Sequence, residues 1–290
     1  MQNLLVYQSL WAMALRQPGI TERTDEESFA MIAAAGFDGI CLDPAAHEID
    51  DCLAKQDLFK EYELRCLLNA FPKNTEELRL LLELGKEMGS PMVNLIGTIY
   101  PLTVADSIPI INEWIAVSED VGVPILFETH RDCITNDMFN TLQLIAAIPE
   151  MRLCADLSHY ALNREISLPL DEHWTELFVQ LLDRSDSFQG RVSNHEQIQV
   201  PITFDQHQDW VTQFKSWWLH GMQKWQERSG ENDSLIFLCE LGPPPYAITG
   251  ADGRELSDRF EEAVTIKSWA EECWQQATDL SSDPKTRPES

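Results

Sequence analysis

The 290-residue chain is short of positive charge: 21 lysines and arginines face 48 aspartates and glutamates, a formal net charge of −27. Such a field repels phosphate backbones, and no Lys/Arg cluster offsets it locally, which argues against nucleic acid as a partner. Long apolar runs are missing as well, so no segment is expected to span a bilayer. The opening stretch MQNLLVYQSLWAMALRQ lacks the basic n-region and small-residue cleavage site of a signal peptide, and a cytoplasmic protein is expected. The seven cysteines form no CxxC pair, and Cys41, Cys66, Cys154 and Cys239 sit inside apolar runs. They read as reduced core thiols, not as a disulfide framework or a zinc knuckle. Neither GxGxxG nor GxxxxGKS occurs, which removes the usual nucleotide loops of open α/β sheets.

What is present is ordinary in amount, 44% hydrophobic and 24% charged residues, and telling in order. Short apolar runs alternate with amphipathic stretches eight times. The strand candidates are Leu4–Leu10, Gly39–Leu42, Leu64–Ala70, Met92–Ile96, Pro124–Glu128, Leu153–Asp156, Arg191–His195 and Ile236–Glu240. Helix-like segments fall between them, among them Thr24–Ala35 with an N-cap threonine and acids in its first turn, and Thr75–Met88 with leucines at helical spacing. The tryptophans of Phe204–Arg228, also at helical spacing, suit barrel packing or an oligomer surface better than a ligand platform. Eight β-loop-α units in a chain of this length predict a single-domain α/β protein, a (β/α)8 TIM barrel over residues 1–276. Residues 277–290 are polar and without apolar periodicity, and are expected to be a disordered tail.

In such barrels chemistry sits at the carboxyl ends of the strands. Glu128 ends the fifth strand candidate, Asp156 the sixth, His195 the seventh and Glu240 the eighth. One acid at a strand end is ordinarily a helix cap, a surface residue or an ion-pair partner. Four in succession, each closing an apolar run, point instead to one shared divalent-metal site, because clustered carboxylates repel unless a cation answers them. Three carboxylates and an imidazole suit manganese or magnesium, with cobalt or zinc as alternatives. His159, three residues after Asp156, is read as a substrate contact, and His130 and Glu196 flank the ligands closely enough to join it.

The ordered set Glu128, Asp156-x-x-His159, His195 and Glu240, with the segments FETHRD and ADLSHY, resembles the xylose-isomerase-like TIM-barrel superfamily, the sugar phosphate isomerase/epimerase family among them. That superfamily holds sugar isomerases, ketose 3-epimerases, inosose dehydratases, hydroxypyruvate isomerase and endonuclease IV-type repair enzymes. The resemblance implies that Glu128, Asp156, His195 and Glu240 bind the ion and that Glu128 and Glu240 double as the acid/base pair. It implies an isomerase or epimerase of a small sugar, sugar acid or polyol working through an enediolate, in a homodimer or homotetramer. A keto-polyol dehydratase is the alternative. A non-catalytic sugar-binding barrel and an endonuclease IV-type nuclease stand further back, the latter because the early strand ends CLDPAA, LLNAFP and VNLIGT carry no histidine. The chain departs from the ketose 3-epimerases six residues after His195, where Pro201 stands in place of their usual arginine.

Overall fold

The computed structural model describes residues 1–282. Eight parallel strands close into a barrel in sequence order, β1 Asn3–Ser9, β2 Gly39–Leu42, β3 Arg65–Ala70, β4 Val93–Leu95, β5 Ile125–Glu128, β6 Leu153–Ala155, β7 Ser185–Gly190 and β8 Ser234–Cys239, with β8 pairing back onto β1. The helices between them are α1 Asp25–Ala34, α2 Ile49–Leu53, α3 Gln56–Glu61, α4 Thr75–Met88, α5 Val104–Val121, α6 Met138–Ala147, α7 Leu157–Asn163, α8 Glu172–Leu182, α9 Gln208–Arg228 and α10 Arg259–Ser282. The single-domain (β/α)8 barrel anticipated from the alternation is therefore what the chain forms. Among the described residues no helix is long and apolar enough to cross a membrane.

Local sequence signals set the element ends. Thr24 and Glu27 form a reciprocal capping box at the start of α1, and Asn74 caps α4 through Glu77 N–H. Gly89 and Gly122 end α4 and α5 in the left-handed conformation that glycine adopts at little cost. Strand residues alternate between two cores. Val6, Leu68, Val93, Phe127, Phe188 and Phe237 point outward into the main core under the helices, whereas Leu5, Tyr7, Cys41, Leu67, Leu126, Ile236 and Leu238 fill the barrel interior. The Tyr7 ring occupies a slot that exists because β2 begins with glycine: a Cβ on Gly39 would lie 2.3 Å from that ring and from the Arg65 carbonyl. All seven cysteines are buried and free, as their apolar settings imply.

Trp210, Phe214, Trp217, Trp218 and Trp225 of α9 are all buried, so the first of the two roles expected for them, barrel packing, is the one observed within the chain. Trp218 meets Phe237 edge-on at 5.2 Å, and Trp217 stacks on Phe178 at 4.3 Å. Most strand ends lie within a residue or two of the sequence reading, and two boundaries differ by more. The helix α10 runs to Ser282, past the expected domain end at residue 276, and residues 283–290 of the expected tail lie outside the described residues. More consequentially, the seventh strand is Ser185–Gly190, not Arg191–His195. Its sequence, SDSFQG, has no apolar run, because Ser187 lies in register with the interior residues Cys154 and Ile236 and gives its hydroxyl hydrogen to the Ile236 carbonyl. A half-polar strand is invisible to a search for hydrophobic runs.

Arg259, at the start of α10, joins the ends of the chain. Its buried guanidinium pairs with Glu255 at 2.7 and 2.9 Å and donates to the carbonyls of Ala12, Ala14 and Leu241. Removing the cation leaves a buried carboxylate and three orphaned carbonyls. Arg259→Met should therefore lower unfolding free energy by about 3–5 kcal/mol in chemical denaturation.

Candidate active site

One step above the apolar interior layer, each inward-facing strand position becomes polar. Leu67 is followed two residues on by Asn69, Leu126 by Glu128, Cys154 by Asp156 and Leu238 by Glu240. These side chains form a connected layer across the carboxyl ends of the strands. Asn69 donates to Asp43 at 3.1 Å, and Asn94 donates to Asn69 at 3.0 Å and also to Glu128 Oε2. Gln189 donates to the same Glu128 Oε2 at 2.9 Å from the opposite side. Glu128, Asp156 and His159 are at most 1% exposed, and Glu240 is 8% exposed.

Asp156 shows its structural and its chemical use at once. As the N-cap of α7 its Oδ1 accepts from the Ser158 N–H at 3.0 Å and from the Ser158 hydroxyl. Its Oδ2 accepts from Arg191 Nε at 3.1 Å, with His159 Nε2 at 3.5 Å. Arg191 then reaches Glu240, Nη2 to Oε2 at 3.1 Å, and is itself only 1% exposed. The Tyr246 ring lies 5.2 Å from the Arg191 guanidinium and 5.1 Å from that of Arg131, whose Nη2 donates to the Tyr246 hydroxyl at 2.8 Å. Gln199 and Gly242 exchange two hydrogen bonds, 2.7 and 3.0 Å, and so tie the loop after β7 to the loop after β8.

Of the four expected metal ligands, Glu128, Asp156 and Glu240 each bring an oxygen within 4.8 Å of the others. His195 belongs to no such group among the described residues: it is half-buried in the loop beyond β7, its ring 6.1 Å from that of Trp210. The strand shift accounts for this, since β7 ends at Gly190 and Arg191 takes the mouth position. A second group, Glu128, His130 and His159, has ligand atoms equally close together. The two rings lie 4.0 Å apart, His130 Nδ1 is bonded to the Arg131 carbonyl, and both nitrogens of His159 are buried without a hydrogen-bond partner. Glu196 is exposed, in a turn where its N–H bonds to Asn194 Oδ1 at 2.8 Å.

Burial sets the protonation of these groups. Glu128 is raised well above 4.5, by desolvation first and then by Glu240 and Asp156. Desolvation pushes Glu240 up to about 7 against the pull of Arg191, and pushes Asp43 up to about 8 with help from Glu240. Both histidines move the other way. Desolvation brings His130 down to about 4, and His159 lies well below 6.5 through burial and then the neighbouring His130. For Arg191 burial opposes the charge, but Glu240 and Asp156 outweigh it and the guanidinium holds its proton more firmly than usual.

Sequence reading missed Arg191, Asn69, Asn94, Gln189 and Tyr246. A strict period of two carried past the last apolar residue of each strand finds the two asparagines. Correct placement of β7 finds Gln189 and Arg191 together.

No protein-family model matches the sequence, and no curated protein matches it either. Solved structures do. D-allulose 3-epimerase from Methylomonas sp. shares 17% identity at a TM-score of 0.60, over 94% of this chain and 99% of that one. A xylose isomerase-like TIM barrel protein from Mycobacterium smegmatis, in complex with magnesium, shares 13% identity at a TM-score of 0.64, over 94% and 97%. The probable 3-DHS dehydratase AsbF from Bacillus anthracis shares 12% identity at a TM-score of 0.52, over 91% and 99%. At these identities the likeness is one of architecture: the chain shares the (β/α)8 barrel fold of these proteins.

Proposed function

We propose that the chain is an isomerase or epimerase of a small sugar, sugar acid or polyol, in which Glu128 and Glu240 move a proton at a carbon beside a carbonyl. The observation that carries this is the pair itself: two buried carboxylates at the barrel mouth, each with an oxygen within 4.8 Å of the other, and both with raised proton affinity. A base held at about 7 is poised to take and release a proton near neutral pH. Glu240 takes the proton as the C–H electron pair moves into the enediolate, and Glu128 returns one to the adjacent carbon or to the other face. His159, with both nitrogens unpartnered beside Glu128, keeps one of them for a substrate oxygen, and Glu196 stands exposed on its loop. The carbohydrate class follows the neighbouring D-allulose 3-epimerase.

The donor set fits a divalent ion on Glu128, His130 and His159. The imidazoles are held neutral, His159 has two buried unpartnered nitrogens, and His130 keeps one nitrogen for a ligand while the other bonds a carbonyl. Bound there, a manganese-like or zinc-like ion supplies Lewis-acid polarisation of a substrate oxygen.

Incubation with candidate sugars in deuterated water should give deuterium exchange without change of composition, followed by mass spectrometry. Loss of water from the sugar would mark a lyase instead. Glu128→Gln and Glu240→Gln should each lower turnover at least ~100-fold.

A pH prediction follows with its sign. The folded state holds a proton on Glu240 up to about 7, whereas the ordinary value is 4.5. The associated stability is full below the ordinary value and is lost as pH rises through about 7. Between about pH 5 and about pH 8 the melting temperature of the parent should fall relative to that of Glu240→Gln, as read by thermal denaturation in matched buffers.

A further inference from the structure

Building on the ion site read at Glu128, His130 and His159, we propose that Arg191 is the permanent cation of the other half of the mouth, standing between Asp156 and Glu240 and closing those two carboxylates to metal. Its geometry is that of a bridging ion. Nε lies 3.1 Å from Asp156 Oδ2 and Nη2 lies 3.1 Å from Glu240 Oε2, and the whole side chain is shielded from water. Both oxygens of Asp156 are engaged, Oδ1 by Ser158 and Oδ2 by Arg191, so an ion here would have to share Oδ2 with a fixed positive charge. The guanidinium enters from the end of β7, the strand whose expected contribution was an imidazole ligand, and His195 lies beyond it on the loop.

Charge supports the same division. An ion on one carboxylate and two neutral imidazoles leaves that half one unit positive. Arg191 with Asp156 and Glu240, when both acids are ionised, leaves the other half one unit negative, and the two cancel in a water-poor setting where an uncompensated charge is costly. The arginine is also steadied by the Tyr246 ring at 5.2 Å, and of its nitrogens Nη1 is buried without a partner, so one edge of the guanidinium is left to donate to an oxygen of the substrate. A guanidinium cannot give up its proton in a protein, so this cation, unlike a metal, is not removed by a chelator.

The test is a manganese titration of the full chain, followed by electron paramagnetic resonance. Asp156→Asn should leave the parent's manganese affinity within about threefold, whereas Glu128→Gln or His159→Ala should lower it by about tenfold or more. Arg191→His removes the cation, adds a donor and frees Asp156 and Glu240, and should raise manganese affinity about tenfold or more. Arg191→Gln frees the same carboxylates and serves where the histidine variant does not fold, as judged by circular dichroism. A tenfold loss in Asp156→Asn, or a folded Arg191 variant with no gain, overturns the proposal. A parent that binds no manganese defeats the ion site at Glu128, His130 and His159 instead, and a gain in the Arg191 variants still decides the role of the arginine.

Discussion

Three carboxylates with oxygens within 4.8 Å of one another, cut off from water, repel unless something answers their charge. The chain answers in three ways at once. Arg191 pairs with two of the acids, amide N–H groups from Asn94 and Gln189 reach the third, and proton uptake by Glu240 and Glu128 reduces the charge that remains. The rest of the mouth is arranged to sustain this. Tyr246 lies over the arginine, Gln199 locks two loops together, and Ser158 holds Asp156 at the start of α7. An acidic protein with few cations holds one of its arginines buried among these acids, which marks that position as one where positive charge is required.

Most of the architecture was legible in the sequence because a parallel barrel buries both faces of its strands, so seven strands announced themselves as apolar runs. Gly39–Leu42 was placed to the residue, and Thr75–Met88 likewise among the helices. The seventh strand was not legible, and for a physical reason: its side chains make polar contacts, Ser185 donating to the Leu181 carbonyl of α8, Ser187 to the Ile236 carbonyl and Gln189 to Glu128, which leaves Phe188 as its only large apolar residue. A strand over Arg191–His195 would end on His195, whereas the observed end at Gly190 places Arg191 at the mouth. Glu128, Asp156 and Glu240 were found since each closes a genuine apolar strand. The amides were not, because asparagine and glutamine carry no charge to draw notice on a buried face.

Fold and site thus speak to different questions. The barrel is shared with epimerases and with a dehydratase, so architecture by itself selects no reaction. What selects is local: which acids keep protons, which imidazoles give them up, and where the fixed positive charge stands. The apolar interior of Tyr7, Leu67, Leu126 and Leu238 contributes by keeping water from the underside of that layer, which is the condition for every shift described above.

The amide contacts of Glu128 have one more consequence. Asn94 and Gln189 both direct their NH2 groups to Oε2, and the oxygens of both amides are left buried without partners. Turning either amide over would set its oxygen against Oε2, so the carboxylate fixes the orientation of both. With the lone pairs of Oε2 already engaged, a proton on this carboxyl belongs on Oε1. The amides therefore make the two oxygens of one carboxylate unequal: Oε2 is anchored, and Oε1 is the one a proton takes.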